Sequence, residues 1–207
     1  MINTYKFIIL LSLLTFGCTT KLNENNRTIQ RINTLDMNIY SNEGNKIYSI
    51  TSPESSYNQK NNIFNLKETT INLFDNKKAK YIINSDRSKL SNNNNLLEMN
   101  GNVELRTYLE DNDILYANSF IWNINNSEYL LIGDVRFENK NIILSSKKAT
   151  LDSNNIIEFY NPVRYIIKSD NNERSYEVRS ENAFYNFNTK AVSFSSKNKR
   201  VKSKIYF

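Results

Sequence analysis

Residues 130–137 read LLIGDVRF, a stretch in which apolar and polar residues alternate around a Gly-Asp step. Leu130 and Ile132 come first, and Val135 and Phe137 follow, with Arg136 between them. Period-two alternation over a short run is the pattern of a strand with one dry and one wet face. The stretch therefore predicts two strand segments whose four apolar residues face inward, with Arg136 facing solvent.

A related pattern recurs along most of the chain. Five small residues each stand five positions before a Tyr, Leu or Trp, and successive small residues are 33, 32, 29 and 34 positions apart: Ser52, Ser85, Ala117, Ser146 and Ser180. A unit of this length cannot bury its own dry face. Neighbouring units must therefore stack and share one elongated interior.

Asn-rich and glycine-containing segments separate the apolar runs. They are SNNNN (91–95), NINNS (123–127) and DSNN (152–155), together with the shorter steps NG (100–101) and GD (133–134). Asn, Asp and Gly tolerate left-handed backbone angles, so these segments predict turns. The chain is thus expected to form ten or more short antiparallel strands, as a repetitive all-β jellyroll or β-taco rather than a closed barrel.

Aligning the units defines one inward column of apolar residues. The members expected to line a binding trough are Ile50, Leu66, Ile83, Met99, Leu105, Trp122, Leu130, Ile132, Val135, Phe137, Ile157, Phe159, Val163 and Phe194. Every β protein has an apolar interior, so core packing explains each of these residues taken alone. Only the continuous column carries functional meaning.

The N-terminus has a different character. Lys6 precedes the apolar run FIILLSLLTF (7–16), and Gly17 precedes Cys18, the only cysteine in 207 residues. A charged start, a short apolar run and a small residue are the layout of a signal peptide, and the run is too short to span a bilayer. The layout resembles a bacterial lipoprotein signal in which Cys18 carries the lipid, although Thr15 stands where that pattern prefers Leu. An uncleaved anchor and a functional thiol are the alternatives.

These features divide the chain into three parts. Residues 1–17 are expected to be a lipoprotein-type signal peptide, residues 18–36 a polar tether, and residues 37–207 a single β-jellyroll domain. A lone cysteine excludes an intramolecular disulfide, so the domain must rely on its apolar core.

Composition argues against enzymatic and nucleic-acid functions. The chain has no histidine, which removes His-based acid–base catalysis and His metal ligands. Asp113 and its acidic neighbours Glu110 and Asp111 lie in a polar segment where solvation explains them. The 27 basic and 21 acidic residues of the sequence are spread along the chain. They do not form the basic stripe interleaved with aromatic residues that is typical of nucleic-acid binding. We expect no catalytic residue, metal, cofactor or nucleic-acid partner.

The repeat resembles the LptC/LptA/OstA group of lipopolysaccharide-export proteins. The resemblance runs from Gly44 through Tyr48 to Phe74, includes Gly101-Asn102-Val103 and Gly133-Asp134-Val135, and covers about residues 37–207. It implies a jellyroll that forms an open, V-shaped trough. A single membrane-attached copy is more similar to LptC than to the soluble bridge component.

The resemblance also implies a function and partners. The inward column would be a trough that accepts lipopolysaccharide acyl chains and passes them on. The partners would be lipopolysaccharide, the periplasmic domains of an ABC transporter permease, and a periplasmic LptA/OstA-like bridge protein. The lipid on Cys18 would hold the chain at the periplasmic face of the inner membrane, or alternatively at the outer membrane. The second functional hypothesis is a structural or polysaccharide-binding surface lipoprotein with a fully packed β core.

The C-terminal tail is a candidate partner edge. Val201, Ser203, Ile205 and Phe207 alternate with Lys202, Lys204 and Tyr206. Lysines on an exposed edge keep it soluble, so the tail is interpreted as an edge strand, with an inner strand as the alternative. The basic run SSKNKRVKSK (195–204) is interpreted as a solvated charged end, with phosphate contact as the alternative.

Overall fold

The computed structural model describes residues 29–75, 77–91, 93, 95–108, 113–126, 128–168 and 174–206. Within these ranges every regular element is a β-strand, and the all-β prediction is confirmed. The strands are β1 (Ile29–Ile32), β2 (Leu35–Tyr40), β3 (Lys46–Ser52), β4 (Glu54–Asn58), β5 (Ile63–Asp75), β6 (Lys78–Ser91), β7 (Leu96–Thr107), β8 (Ile114–Asn123), β9 (Glu128–Glu138), β10 (Ile142–Leu151), β11 (Ile156–Lys168), β12 (Arg174–Asn186), β13 (Val192–Ser195) and β14 (Lys202–Ile205).

The strands form one antiparallel sheet in which neighbours in sequence are mostly neighbours in space. From β5 to β12 each strand pairs with the next. At one end β3 and β4 lie end to end along β5, and β2 and β1 pair with them; at the other end β13 and β14 lie along β12. The chain thus crosses the sheet in eleven antiparallel passes. Among the described residues the first and last passes do not pair with each other, so the sheet is open.

Every pass is interrupted near its middle. The register shifts between Asn84 and Arg87 in β6, between Asn100 and Val103 in β7, and at matching positions in the strands that follow. Because these shifts line up across the sheet, they form a single bend line. On one side lies half-sheet A, which contains β2, β3, β14, the first parts of β6, β8, β10 and β12, and the last parts of β5, β7, β9 and β11. Half-sheet B contains the remainder.

Glycine is required at the bend in two of the passes that run from half-sheet B to half-sheet A. Gly133 has φ +77° and is followed by Asp134 at φ +48°, and Gly101 with Asn102 repeats the arrangement in β7. A Cβ at Gly133 would lie 2.8 Å from Asn118 Nδ2 on the neighbouring strand. The short Gly-containing steps are therefore bends within continuous strands, and their prediction as turns was wrong. The positive φ angles that suit glycine to turns also suit it to a bulge.

Small residues mark the bend in the passes that run the other way. The hydroxyls of Ser85, Ser146 and Ser180 each donate a hydrogen bond to the backbone carbonyl two residues later, at 3.2, 2.8 and 2.8 Å. Ser52 makes the same bond to Glu54 at 2.8 Å. A bulge leaves ladder groups unpaired, and the serine hydroxyl satisfies one of them. The repeated small residues of the sequence therefore lie where the two half-sheets meet.

The longer Asn-rich segments lie in the predicted turns, between β6 and β7, β8 and β9, and β10 and β11. The strands themselves are longer than predicted, because each runs through the bend. The domain also begins earlier than predicted, since residues 29–36 of the expected tether form β1 and the start of β2. Isolated polar residues in 19–36 masked the weak apolar alternation of these edge strands.

The bend folds the sheet so that its two halves face each other. Tyr48 of half-sheet A contacts Trp122 of half-sheet B, with ring centroids 5.1 Å apart, although their strands are not neighbours in the sheet. Phe137 and Tyr185 meet in the same way at 4.3 Å, as do Tyr165 and Phe194 at 5.3 Å. The core is the layer of side chains between the half-sheets.

Candidate functional site

The candidate site is the layer between the half-sheets. Most of the predicted column lies there: Ile50, Ile83, Met99, Val135, Phe137, Ile157 and Phe159 are fully buried, Leu66, Leu105, Trp122 and Val163 are nearly so, and Phe194 is partly buried. Alternation places these side chains on one face of each strand, and the bend brings the two faces together. The interior is thus apolar along its length, and protein side chains fill it.

A group of aromatic rings crosses the interior. Trp122 stacks on Tyr129 at 5.6 Å and meets Tyr48 edge to face. Burial raises the pKa of Tyr48 and of Tyr129 to about 12, so both phenols stay neutral at physiological pH. Trp122 Nε1 has no hydrogen-bond acceptor among the described residues. These rings present mainly apolar surface to whatever lies against them.

Two members of the predicted column do not face inward. Ile132 is 41% exposed and Leu130 is partly exposed, whereas Leu131 between them is fully buried. Taking Gly133-Asp134 as a turn led to the wrong alternation. In the continuous strand, residues 129, 131, 135 and 137 share the inward face, and Leu130 and Ile132 lie on the outer face.

Polar contacts join the two rims that lie opposite the bend. Asp113, before β8 on the rim of half-sheet A, accepts a hydrogen bond from Lys190 Nζ at 2.7 Å, and Lys190 belongs to the β12–β13 turn on the rim of half-sheet B. Asp113 also accepts from Asn139 Nδ2 at 3.1 Å. Nearby, the Tyr81 hydroxyl donates to Asn155 Oδ1 at 3.1 Å, again from rim to rim. We call this side of the fold the mouth.

Phe187 lies just inside the mouth. Its ring is 5.7 Å from that of Phe137, 5.2 Å from Tyr185 and 6.4 Å from Tyr81. It belongs to the turn of half-sheet B that also carries Lys190. One turn therefore supplies both the polar contact with Asp113 and an aromatic ring that packs just inside the mouth. Separating the rims would remove both together.

Sequence reasoning missed the mouth. Asp113 was expected to be a solvated carboxylate in a polar turn, but its side chain is fully buried against Lys190 and Asn139. Lys190 is 77 residues away, and no local pattern links the two. Glu110 and Asp111, the other acidic residues of that segment, lie outside the described residues.

A comparison of the sequence with known protein families identifies the family of this chain. The family described as "Lipopolysaccharide-assembly, LptC-related" matches residues 8–129, more than half of the 207 residues. The chain belongs to this LptC-related family. The matched region runs from the apolar N-terminal stretch to Tyr129, the aromatic residue that stacks on Trp122. The predicted resemblance is confirmed.

Membership gives the LptC-related protein a role in lipopolysaccharide transport, in a family of periplasmic transport components. Among solved structures, the fold of the chain is similar to the crystal structure of LptH, the LptA-homologous periplasmic component of the lipopolysaccharide transport device from Pseudomonas aeruginosa. The two share 9% identity with a TM-score of 0.46, and the match covers 77% of this chain and 94% of LptH. No curated protein matches the chain.

The predicted partner edge of the LptC-related protein lies at the end of the sheet. β14 pairs with β12 on one side, and its four residues are exposed, with Ile205 at 59% and Val201 just before it at 45%. Phe207 lies outside the described residues. The edge assignment agrees with the lysine-rich pattern of the tail, whereas its partner stays a prediction.

Cys18 and the apolar run before it also lie outside the described residues, so lipidation stays a prediction. Within the part of the chain that the structure describes, no helix has the length and apolar character needed to cross a membrane.

Proposed function

We propose that the protein accepts the acyl chains of lipopolysaccharide between its two half-sheets and passes them to a periplasmic bridge protein. In this proposal the lipid on Cys18 holds it at the periplasmic face of the inner membrane, beside the permease of an ABC transporter. The observation that carries the proposal is a continuous apolar interior in a sheet whose first and last described passes do not pair, bounded on one side by a mouth of side-chain contacts. A closed barrel would offer no such lateral opening.

The energetics suit a carrier that must release its cargo. The inward side chains already bury one another, so an entering acyl chain exchanges protein–protein contacts for protein–lipid contacts. Shielding acyl surface from water stabilises the complex by about 25 cal/mol per Å² of apolar area. Separating the half-sheets offsets part of that gain, because the aromatic contacts across the interior are lost. Binding would thus be favourable without being irreversible.

A second function is supported by a specific observation. Phe137, Phe159 and Ile157 are fully buried by protein alone, as expected for a surface lipoprotein with a permanently packed core. The two functions differ in whether the mouth opens. A carrier must part its rims during transport, whereas a structural lipoprotein keeps them joined.

Photocrosslinking in cells separates these functions. A photoreactive residue at Phe137 or Phe159 is expected to form adducts with lipopolysaccharide, and the adducts should disappear when the transporter's ATPase is disabled. Ile132 is the matched control, because it lies on the outer face of the strand that carries Phe137. Folded protein with no inward adducts, or equal adducts at Ile132, would favour the structural lipoprotein.

A further inference from the structure

A basic cleft lies on the outer surface, at the bend line. It has a volume of about 630 Å³ and lies over β9 to β12, with the segment 196–201 on its far side. The residues that line it include seven basic side chains and two acidic ones. It faces away from the interior and is separate from the mouth.

Four of the basic residues form one row across half-sheet A. Arg136 lies opposite Ser145, Ser145 opposite Arg164, Arg164 opposite Arg179, and Arg179 opposite Lys202. Adjacent strands are about 4.8 Å apart, so directly opposed like charges repel and destabilise the sheet. Three consecutive strands here carry a cation at the same level, an arrangement that needs nearby carboxylates or a bound anion to offset the charge.

Nearby carboxylates offset only part of this charge. Glu177, almost fully buried, accepts from Arg164 Nη2 at 3.1 Å and from Arg179 Nε at 2.7 Å. Arg136 pairs with Glu138. The remaining cations of the cleft, Lys147, Lys199, Arg200 and Lys202, are all exposed.

The segment 196–201 is held in place beside the row. Glu181 Oε2 accepts hydrogen bonds from the backbone N–H groups of Lys197 at 2.7 Å and Asn198 at 3.1 Å. The backbone N–H of Glu181 donates to Ser196 Oγ at 3.0 Å. These bonds fix the start of the loop between β13 and β14, which places Lys199 and Arg200 in the lining of the cleft.

The outer groove over β4 to β6 provides a comparison. It too contains basic residues, but Lys67 there pairs with Glu54 at 2.8 Å, and Lys89 pairs with Glu98 at 3.1 Å. Arg31 and Arg87 also line that groove, so carboxylates pair with two of its four basic side chains. The cleft at the bend brings together more cations, with seven basic side chains and two acidic ones in its lining.

We propose that the cleft at the bend binds a phosphate-bearing anion, such as a phosphorylated head group. Arginine forks and lysine ammonium groups on several sides of a concavity suit the oxygens of phosphate better than a single carboxylate. A bound phosphate would also relieve the repulsion between Arg164, Arg179 and Lys202. The site goes beyond the proposed function, because it lies on the opposite side of the fold from the mouth.

The test uses the full chain in micelles of an uncharged detergent. Pyrophosphate is the soluble probe, and the same micelles doped with phosphatidylglycerol or with diphosphoryl lipid A are the lipid probes. Thermal unfolding is recorded at constant ionic strength, since a ligand that binds the folded state raises Tm. The variant Lys199→Gln/Arg200→Gln/Lys202→Gln removes three exposed charges and leaves the partners of Glu177 intact. Lys60→Gln/Lys77→Gln/Lys78→Gln removes three exposed charges elsewhere and is the matched control.

The expected result is a rise in Tm with at least one probe in the wild type and in the control. In the cleft variant, the concentration of that probe needed for half the shift should rise about tenfold. A response to pyrophosphate identifies a soluble phosphate as sufficient, whereas a response to doped micelles alone identifies a lipid head group. If the cleft variant and the control respond equally to every probe, or if the wild type responds to none, the proposal is wrong.

Discussion

Lys190 Nζ lies 2.7 Å from Asp113 Oδ2, and this ion pair joins turns on opposite rims of the folded sheet. The Asp113 side chain is fully buried, while about a third of Lys190 remains exposed. A buried carboxylate is costly without its partner, so the pair holds the rims together as long as both charges are present. If lipid enters through the mouth, as proposed above, the pair must separate.

Tethering the mouth should therefore block transport. In the variant Asp113→Cys/Lys190→Cys, a short reducible bis-thiol reagent is expected to join the rims. Lipopolysaccharide adducts of a photoreactive residue at Phe137 should then fall to the background level and return after reduction. Asp113→Cys alone, treated identically, controls for loss of the ion pair. Undiminished adducts in the tethered protein would show that lipid does not enter between these rims.

The bend glycines should not tolerate a side chain. Gly133→Ala is expected to lower the free energy of unfolding by about 2 kcal/mol, from the positive φ and from contact with Asn118. Gly44→Ala is the control, because Gly44 has a similar φ of +79° but no atom within 4 Å of the added Cβ. Urea unfolding should give a smaller loss for Gly44→Ala, about 1 kcal/mol. Equal losses would mean that the contact with Asn118 costs nothing.

Acid should weaken the arginine-rich end of the sheet. Hydrogen bonds and charge from Arg164 and then Arg179 lower the pKa of Glu177 from its ordinary 4.5 to about 2. A carboxyl whose pKa is lower in the folded state stabilises the fold above its unfolded pKa, and this contribution is lost as pH falls from 4.5 towards 2. Because both arginines are partly exposed, solvent screening limits the contribution to about 1 kcal/mol.

The measurement compares the wild type with Glu177→Gln by urea unfolding across that pH range. The difference in unfolding free energy should be largest near neutral pH and should shrink as the pH approaches 2. A difference that does not change with pH would contradict the assigned pKa.

Comparing the structure with the sequence-based predictions shows which features of a β repeat can be predicted from sequence. Alternation identified the inward residues on most strands, because it follows from local backbone geometry. The five small residues revealed the repeat, but that they lie at a bend within each pass was not predicted. Ile132 was misplaced because a Gly-Asp bulge and a Gly-Asp turn have the same local sequence. Asp113 and Lys190 were missed because their contact depends on how far one half-sheet is displaced against the other, which no local pattern encodes.

The exposed edge of β14 is expected to recruit the bridge protein by strand addition. A photoreactive residue at Ser203 should crosslink to that protein in cells, because Ser203 is exposed on the last pass of the sheet. Lys60, exposed in the β4–β5 turn, is the control position. Crosslinks of equal strength at both positions, or at Lys60 alone, would exclude β14 as the partner edge.

Lipidation of Cys18 has a direct test. Cells expressing Cys18→Ser are expected to incorporate no labelled fatty acid into the protein, and the protein should leave the membrane fraction. If the variant stays in the membrane and the wild type carries no label, the apolar run 7–16 is an uncleaved anchor instead.

The two kinds of bend have a consequence for how such a molecule changes length over evolutionary time. Passes with a small residue followed by a bulge alternate with passes that cross the bend at Gly-Asn, Gly-Asp or Asn-Pro, and each kind pairs only with the other kind from β6 to β12. Deleting or duplicating one pass would place two of the same kind side by side and reverse the chain direction. Deleting or duplicating an adjacent couple of passes would preserve both direction and cross-section. Homologues should therefore differ in length by multiples of the repeat of roughly 30 residues. Their folded sheets should be longer or shorter but keep the same cross-section.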